Sequence, residues 1–156
     1  TGMSNGGFFS HRLACEAADV IAAVAPVAGV LALDPATCTP SRPISILHLH
    51  GTGDPLVRYD GGGLADSPSV EASIAGWLDR NGCTGEPTVS FQNGSATCET
   101  TDDCDGNASV TLCTIEGAGH CWPGQPCRVL GDLGESTTDI DANEAIWRMF
   151  SGVRLP

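Results

Sequence analysis

Basic residues are scarce in this sequence, and long apolar runs are missing from it. Only 7 of the 156 residues are Lys or Arg, against 19 Asp or Glu, which gives a formal net charge of -12. Proteins that bind nucleic acid neutralise its phosphates with Lys and Arg, so we expect no nucleic-acid partner. No apolar run approaches the ~20 residues that a membrane-spanning helix needs, so we expect no membrane partner.

Internal repeats, low-complexity segments and the composition of a disordered chain are also absent. Hydrophobic residues make up 41% of the 156 positions, which is enough for one domain with a real core. Segments with helical spacing of apolar residues alternate with short β-branched runs, and this alternation is typical of an α/β layer fold.

Metal-binding cysteine patterns are lacking, although the sequence has 8 cysteines. No pair is spaced as C-x-x-C and no histidine stands at zinc-finger spacing from a cysteine pair, so structural zinc is the less favoured alternative. An even, high count indicates disulfides formed in an oxidising compartment, and we expect a secreted protein. We hypothesise four pairs: Cys98 with Cys104, Cys121 with Cys127, Cys15 with Cys38, and Cys83 with Cys113.

The periodicity predicts helices over 4–18, 67–81 and 141–150, and strands over 20–27, 44–49, 89–92 and 110–115. We expect Ser67 to cap the second helix, with Pro68 at its first position, and Asp139 to cap the third. Ile146, Met149 and Phe150 should face inward. The segment 31–42 is predicted as a loop, and 94–107 as a polar, cysteine-bearing excursion.

The candidate nucleophile is Ser4, in the pentapeptide Gly2-Met3-Ser4-Asn5-Gly6, which fits the G-x-S-x-G pattern of a nucleophile elbow. The serine of such an elbow lies in a strained turn between a strand and a helix, so the residues two positions away should lack bulk. The Asn5 amide would donate one hydrogen bond to an oxyanion. The pentapeptide alone is a weak signal, because a glycine-rich turn with an idle serine has the same pattern.

The candidate acid and base follow the serine in the order that hydrolases with this elbow use. Asp54 stands just past the predicted strand 44–49, with Asp60 and Asp34 as less well placed competitors. An ordinary turn aspartate before proline is its alternative reading. His120 is the one histidine after Asp54, and it follows the strand 110–115 in a glycine-rich loop. We expect His120 to take the serine proton and Asp54 to orient its ring.

The remaining histidines are predicted to have structural positions. We expect His11 on the exposed face of the first helix. His48 and His50 share one face of the strand 44–49 with Ile44 and Ile46, so they should be packed and hydrogen-bonded. The acidic segment 97–105 does not have the spacing of an EF-hand loop, and no metal site is predicted.

Three motifs together identify a resemblance to a known family: TGMSNGG at 1–7, HGTGDP at 50–55 and GAGHCWPG at 117–124. They resemble the polyhydroxybutyrate depolymerase and feruloyl esterase-like family of α/β-hydrolases, over nearly the whole chain. The resemblance implies a mostly parallel sheet flanked by helices and stapled by disulfides. It also implies a secreted serine esterase without a cofactor, with the catalytic residues Ser4, Asp54 and His120. Trp122 would lie beside the substrate, and a buried structural tryptophan is the alternative.

The sequence leaves the substrate and the reaction class partly open. A polyester, a feruloylated or acetylated polysaccharide and a small ester are all possible substrates. A serine peptidase on the same fold would use the same residues, because ester and amide hydrolysis share machinery. A disulfide-rich binding module with an accidental motif is the alternative from a different class.

Members of that family are longer, and here the chain begins three residues before the serine. We therefore expect residues 1–156 to form a single partial catalytic domain, the C-terminal part of an α/β-hydrolase whose missing N-terminal half supplies the second oxyanion donor. Alone, it should be unstable or aggregated and close to inactive, because a central sheet edge would be unpaired. A cooperative melt together with full activity of these residues would contradict this expectation.

Overall fold

The structure, a computed structural model, describes residues 1–63, 66–127 and 133–155. Across these ranges, no helix is long and apolar enough to cross a membrane. The strands and helices follow one another along the chain as β1 (Gly2–Met3), α1 (Asn5–Glu16), β2 (Ala23–Val24), β3 (Pro26–Val27), β4 (Ser45–Gly51), α2 (Val70–Arg80), β5 (Thr88–Asn93), β6 (Ala96–Thr101), β7 (Val110–Ile115) and α3 (Ala142–Gly152).

The strands form one mixed, mostly parallel sheet in the order β1-β3-β4-β7-β6-β5, and β2 also pairs with β4. The strands β1, β2, β3, β4 and β7 are parallel to their neighbours in this group. The pairs β5 with β6 and β6 with β7 are antiparallel. The carboxyl ends of all the parallel strands therefore lie at one edge of the sheet.

The strand β4 is the centre of this sheet, and every one of its residues is buried. Both sets of its side chains, the apolar Ile46, Leu47 and Leu49 as well as two histidines, are buried because parallel strands are covered on both faces. One face contributes Ile46 to a core with Ala14 of α1 and Trp77 of α2. The other contributes Leu49 to a core with Ile146 of α3. The helices thus cover both faces of the sheet.

The predicted helix caps were wrong by two residues in each case. Ser69 caps α2, with its Oγ accepting a hydrogen bond from the Ala72 amide at 3.0 Å. Ser67 is instead held extended by backbone hydrogen bonds with Gly62. Asp141 caps α3, while the predicted cap Asp139 accepts hydrogen bonds from the amide and hydroxyl of Ser95 at 2.7 and 2.8 Å. A local turn thus removes Ser67 from the cap position, and a distant segment removes Asp139.

Two predicted segments have a different form in the structure. The stretch 94–107 is not irregular throughout, because Ala96–Thr101 forms β6 between β5 and β7. The polar composition of this segment led to the prediction of an irregular excursion. In the structure its hydroxyl groups bind those of the neighbouring strand, as Thr100 and Thr111 do at 2.8 Å. The predicted strand 20–27 is two short strands, β2 and β3, on either side of Ala25.

Four disulfides join all eight cysteines: Cys15 with Cys38, Cys83 with Cys104, Cys98 with Cys113, and Cys121 with Cys127. The first and last pairs confirm the hypothesis from the sequence. The pairs Cys98 with Cys104 and Cys83 with Cys113 were wrong. The unpredicted strand β6 is the reason, because its register sets Cys98 directly opposite Cys113 on β7.

Removing the disulfide between the two strands should destabilise the protein. It links cysteines 15 residues apart, so replacing Cys98 and Cys113 by Ala should lower the free energy of unfolding by about 3 kcal/mol. Urea unfolding of the double variant measures this. Peptide mapping without reductant is the control for connectivity. A peptide that joins Cys98 to Cys104 would contradict the fold of β6.

Candidate active site

Ser4 lies between β1 and α1 with a backbone conformation that residues other than glycine rarely adopt. Its φ is 56° and its ψ is -118°, outside the broad allowed regions for side chains with a Cβ. Ser4 occupies the N-cap position of α1, but its side chain makes no capping hydrogen bond. A serine that served the helix would have an extended backbone and would accept from the second or third helical amide. Local strain of this kind concentrates at functional sites.

Backbone hydrogen bonds hold the strained turn from both sides. The Ser4 amide donates to the Val27 carbonyl at 2.9 Å, and the Ser4 carbonyl accepts from the Phe8 amide at 3.0 Å. The first bond continues the pairing of β1 with β3, and the second begins α1. The turn is therefore fixed by the sheet and the helix together.

Close backbone packing explains only part of the glycine pattern around Ser4. A Cβ on Gly2 would lie 2.7 Å from the Gly6 Cα, whereas a Cβ on Gly6 would meet nothing within 4 Å. The expectation that both flanking residues must lack bulk thus holds for Gly2 alone. The structure adds Gly29, where a Cβ would lie 2.6 Å from the Ser4 carbonyl oxygen and 2.8 Å from the Phe8 amide nitrogen.

Asp54 lies in the loop after β4, and both oxygens of its buried carboxylate have hydrogen-bond partners. Its Oδ1 accepts hydrogen bonds from the amides of Leu56 and Val57, both at 2.9 Å. Its Oδ2 lies 2.7 Å from His120 Nδ1 and 3.5 Å from His50 Nε2. Burial by itself raises the pKa of Asp54. The hydrogen bonds from His120, His50 and the Val57 amide outweigh burial and hold the pKa well below its usual range.

His120 lies in the loop after β7, which is tied to the loop after β4. The Gly53 amide donates to the Ala118 carbonyl at 2.9 Å, and the His120 amide donates to the Leu133 carbonyl at 2.7 Å. A disulfide at the next residue, Cys121, fixes the chain beyond it. The ring is buried, and its Nδ1 faces Asp54. Its Nε2 makes no hydrogen bond to a residue that the structure describes.

The sheet brings Ser4, Asp54 and His120 to one edge, but hydrogen bonds join only two of them. Met3 is paired with Val27, Val27 with Leu49, and Leu49 with Cys113. Each of the three candidate residues follows one of these strands at its carboxyl end. Among the hydrogen bonds of the described residues, none joins the Ser4 hydroxyl to His120. Such contacts often tighten only when a substrate is bound.

The two further predicted site residues differ in what surrounds them. Asn5 is the first residue of α1, so its amide has no acceptor within the helix, and its role in binding an oxyanion stays a prediction. Trp122 is partly buried and packs against the apolar cluster beneath α3 that includes Ile146 and Leu49. This packing fits the structural alternative for Trp122, and its role beside a substrate stays a prediction.

Two histidines differ from the expectations: one lies elsewhere than predicted, and another makes a contact that was not predicted. His11 is fully buried rather than exposed, because its ring binds Trp77 of α2 and His48 of β4. His48 and His50 are packed and hydrogen-bonded as predicted. The contact of His50 with Asp54 was not predicted, although the four-residue spacing of the two within the motif HGTGD was a usable signal.

No protein-family model matches the chain, but it is similar to several proteins named as esterases. It is 40% identical over 129 residues to feruloyl esterase B of Piromyces equi, an alignment that spans 76% of this chain and 24% of that protein. It is 36% identical over 142 residues to the putative esterase NocK of Nocardia uniformis subsp. tsuyamanensis, spanning 79% of this chain and 41% of that protein.

A third relative is a bifunctional protein. The chain is 27% identical over 125 residues to the bifunctional acetylxylan esterase/xylanase XynS20E of Neocallimastix patriciarum, spanning 77% of this chain and 17% of that protein. The chain thus covers less than half the length of each of these three relatives. The similarity extends over most of the chain and supports a carboxylic ester hydrolase.

The contacts at Gly29 predict a strong effect of a single methyl group on the turn that carries Ser4. Gly29→Ala should displace the Ser4 carbonyl or the start of α1, and we expect a loss of about 2–3 kcal/mol of stability from overpacking. Gly6→Ala is the matched control, because its Cβ meets open space and alanine favours the helix. Thermal unfolding of both variants measures the difference. Equal melting temperatures would contradict the described turn.

Proposed function

We propose that this chain carries the catalytic centre of an α/β-hydrolase and that it hydrolyses carboxylic esters, with Ser4 as nucleophile, His120 as general base and Asp54 as the residue that orients His120. The observation that carries the proposal is the buried Asp54–His120 hydrogen bond. It lies at the sheet edge where Ser4, with a strained backbone and no helix-capping hydrogen bond, follows a parallel strand. The mostly parallel sheet with helices on both faces supports the fold assignment.

In the first half of the proposed reaction, the Ser4 Oγ attacks the ester carbonyl carbon while its proton passes to His120 Nε2. The Asn5 amide stabilises the oxyanion, and the positive end of α1 adds to this effect. When the tetrahedral intermediate collapses, the ester C–O bond breaks and the alcohol leaves with the proton from His120. The acyl group stays on Ser4.

In the second half, a water molecule attacks the acyl-enzyme and gives its proton to His120. The Ser4 Oγ then takes that proton back as the carboxylic acid leaves. Asp54 accepts the Nδ1–H of His120 throughout, and its low pKa keeps it ionised as the ring gains and loses its charge. This arrangement fixes the tautomer in which Nε2 is the free base.

The substrate class that we propose is an ester attached to a polysaccharide. Two of the relatives are named as a feruloyl esterase and an acetylxylan esterase. The net charge of -12 favours a neutral substrate over an anionic one. A polyhydroxyalkanoate is the competing ester. The four disulfides support action outside the cell.

An activity-based probe tests the proposal on the chain alone and on a chimera in which the chain replaces the matched region of NocK. We expect a fluorophosphonate to form one adduct on Ser4, which is lost in Ser4→Ala and in His120→Ala because the nucleophile or its base is missing. Ser10→Ala is the matched control, since it removes a buried hydroxyl from α1, the helix that follows Ser4. Peptide mass mapping locates the adduct.

Three outcomes would contradict the proposal. A folded chimera without an adduct would favour the binding module over the enzyme. An adduct on another residue would show that Ser4 is not the nucleophile. Faster cleavage of an amide than of the matching ester would favour a peptidase. Comparison of feruloylated and acetylated xylan with a polyhydroxyalkanoate then distinguishes the substrate classes.

A further inference from the structure

Three buried histidines form a continuous hydrogen-bonded chain between Trp77 and the Asp54 loop. Trp77 Nε1 donates to His11 Nδ1 at 2.9 Å. His11 Nε2 lies 3.2 Å from His48 Nδ1, and His48 Nε2 lies 3.0 Å from His50 Nδ1. His50 Nε2 lies 2.8 Å from the Val57 carbonyl oxygen. This series of hydrogen bonds runs from α2 through α1 to the central strand β4.

The end groups of this chain decide where each histidine carries its proton. An indole N–H is only a donor, so His11 Nδ1 must accept and His11 Nε2 carries the hydrogen. That hydrogen points at His48 Nδ1, so His48 carries its hydrogen on Nε2, which points at His50 Nδ1. His50 in turn carries its hydrogen on Nε2. At the other end a carbonyl oxygen only accepts, so it also requires a hydrogen on His50 Nε2. Both ends therefore select the neutral Nε2–H tautomer for all three rings.

Burial keeps His11 and His48 in their neutral forms. The three rings are at most 1% exposed, and the rings of His48 and His50 stack with 4° between their planes. Burial lowers the pKa of His11 to about 3, with the Gly29 backbone opposing and His50 adding to the shift. Burial first, and then His50 and His11, lower the pKa of His48 well below its ordinary value. A charged His11 or His48 would have no carboxylate beside it among the residues that the structure describes.

The series of histidines ends at His50, which contacts both Val57 and the Asp54 carboxylate. The Val57 amide donates to Asp54 Oδ1 at 2.9 Å, and its own carbonyl accepts from His50. His50 Nε2 also lies 3.5 Å from Asp54 Oδ2, the oxygen that binds His120. The other tautomer of His50 would turn a lone pair toward both acceptors and repel them. The carboxylate would then rotate away from its position under His120.

We propose that His50 is a positioning residue for Asp54, and that Trp77, His11 and His48 fix the tautomer of His50. The inference rests on the proposed function only for its effect on turnover, because the positioning itself is visible without a substrate. Together these residues make the geometry of the Asp54–His120 pair depend on a buried donor on α2. They form no part of the reacting groups.

Nitrogen-15 NMR of the histidine rings tests the tautomers directly. We expect His11, His48 and His50 to show the Nε2–H pattern, and we expect His11 and His48 to stay neutral from pH 8 to pH 5, because burial lowers their pKa values. Trp77→Phe removes the donor to His11 Nδ1, so the signal of that nitrogen should shift, while the Val57 carbonyl still selects the Nε2–H form. An Nδ1–H pattern in any of the three wild-type rings would overturn the proposal.

Substitution of His50 tests the effect on the pair and on turnover in the NocK chimera. His50→Leu removes the donor, so the low-field Nδ1 proton of His120 should shift and broaden. The kcat should fall about tenfold to a hundredfold with KM nearly unchanged, because misplacement of a catalytic group by about 1 Å has effects of that size. His50→Gln places an amide N–H near the position of Nε2 and should restore most of both signals.

Ser73→Ala is the control, since it removes a buried hydroxyl that binds the Leu31 amide and has no link to Asp54. It should lower the melting temperature without moving the His120 proton or kcat. If His50→Leu behaves like Ser73→Ala, the positioning role is wrong. A shifted His120 proton in a protein that has no esterase activity would support the positioning and contradict the proposed function instead.

Discussion

The parallel alignment of β1, β3, β4 and β7 is the constraint on which the candidate site depends. The aligned residues Met3, Val27, Leu49 and Cys113 form one row across the sheet, so the chain leaves each strand at the same edge. Ser4 follows the first of these strands at once, while Asp54 and His120 follow the third and fourth within a few residues. Three side chains far apart in sequence thus reach one surface without any long loop.

The central strand serves both the core and the site because its two faces have different tasks. Leu47 and Leu49 face α3 and bury apolar surface. Ile46 enters the opposite core, and His48 and His50 follow it on that face with their hydrogen bonds fully used. A strained serine and a buried polar chain both oppose folding, and the apolar cores and four disulfides offset them. The apolar cores and disulfides therefore stabilise a fold that contains a strained serine and buried polar side chains.

The sequence was sufficient for the elements with clear periodicity and failed where distant partners decide. The strand β4 and the pairing of Asp54 with His120 could be predicted because motif order and flanking strands point to them. The burial of His11 could not be predicted, because its indole partner lies 66 residues away on α2. Strand β6 was missed because only Ala96 and Cys98 are apolar in it, and two disulfide pairs were wrong as a result. Gly29 has no motif, and only the packed turn shows that it must lack a Cβ.

The central claim is that Ser4 becomes acylated with His120 as its base. The most direct measurement is to mix the protein, as the NocK chimera, with a feruloyl ester, stop the reaction in acid during the first turnover, and map the mass of the peptides. The account predicts one feruloyl group on the peptide that contains Ser4, disappearing as free acid forms. Turnover of the ester with no acyl group on Ser4, or with the group on another residue, would contradict it.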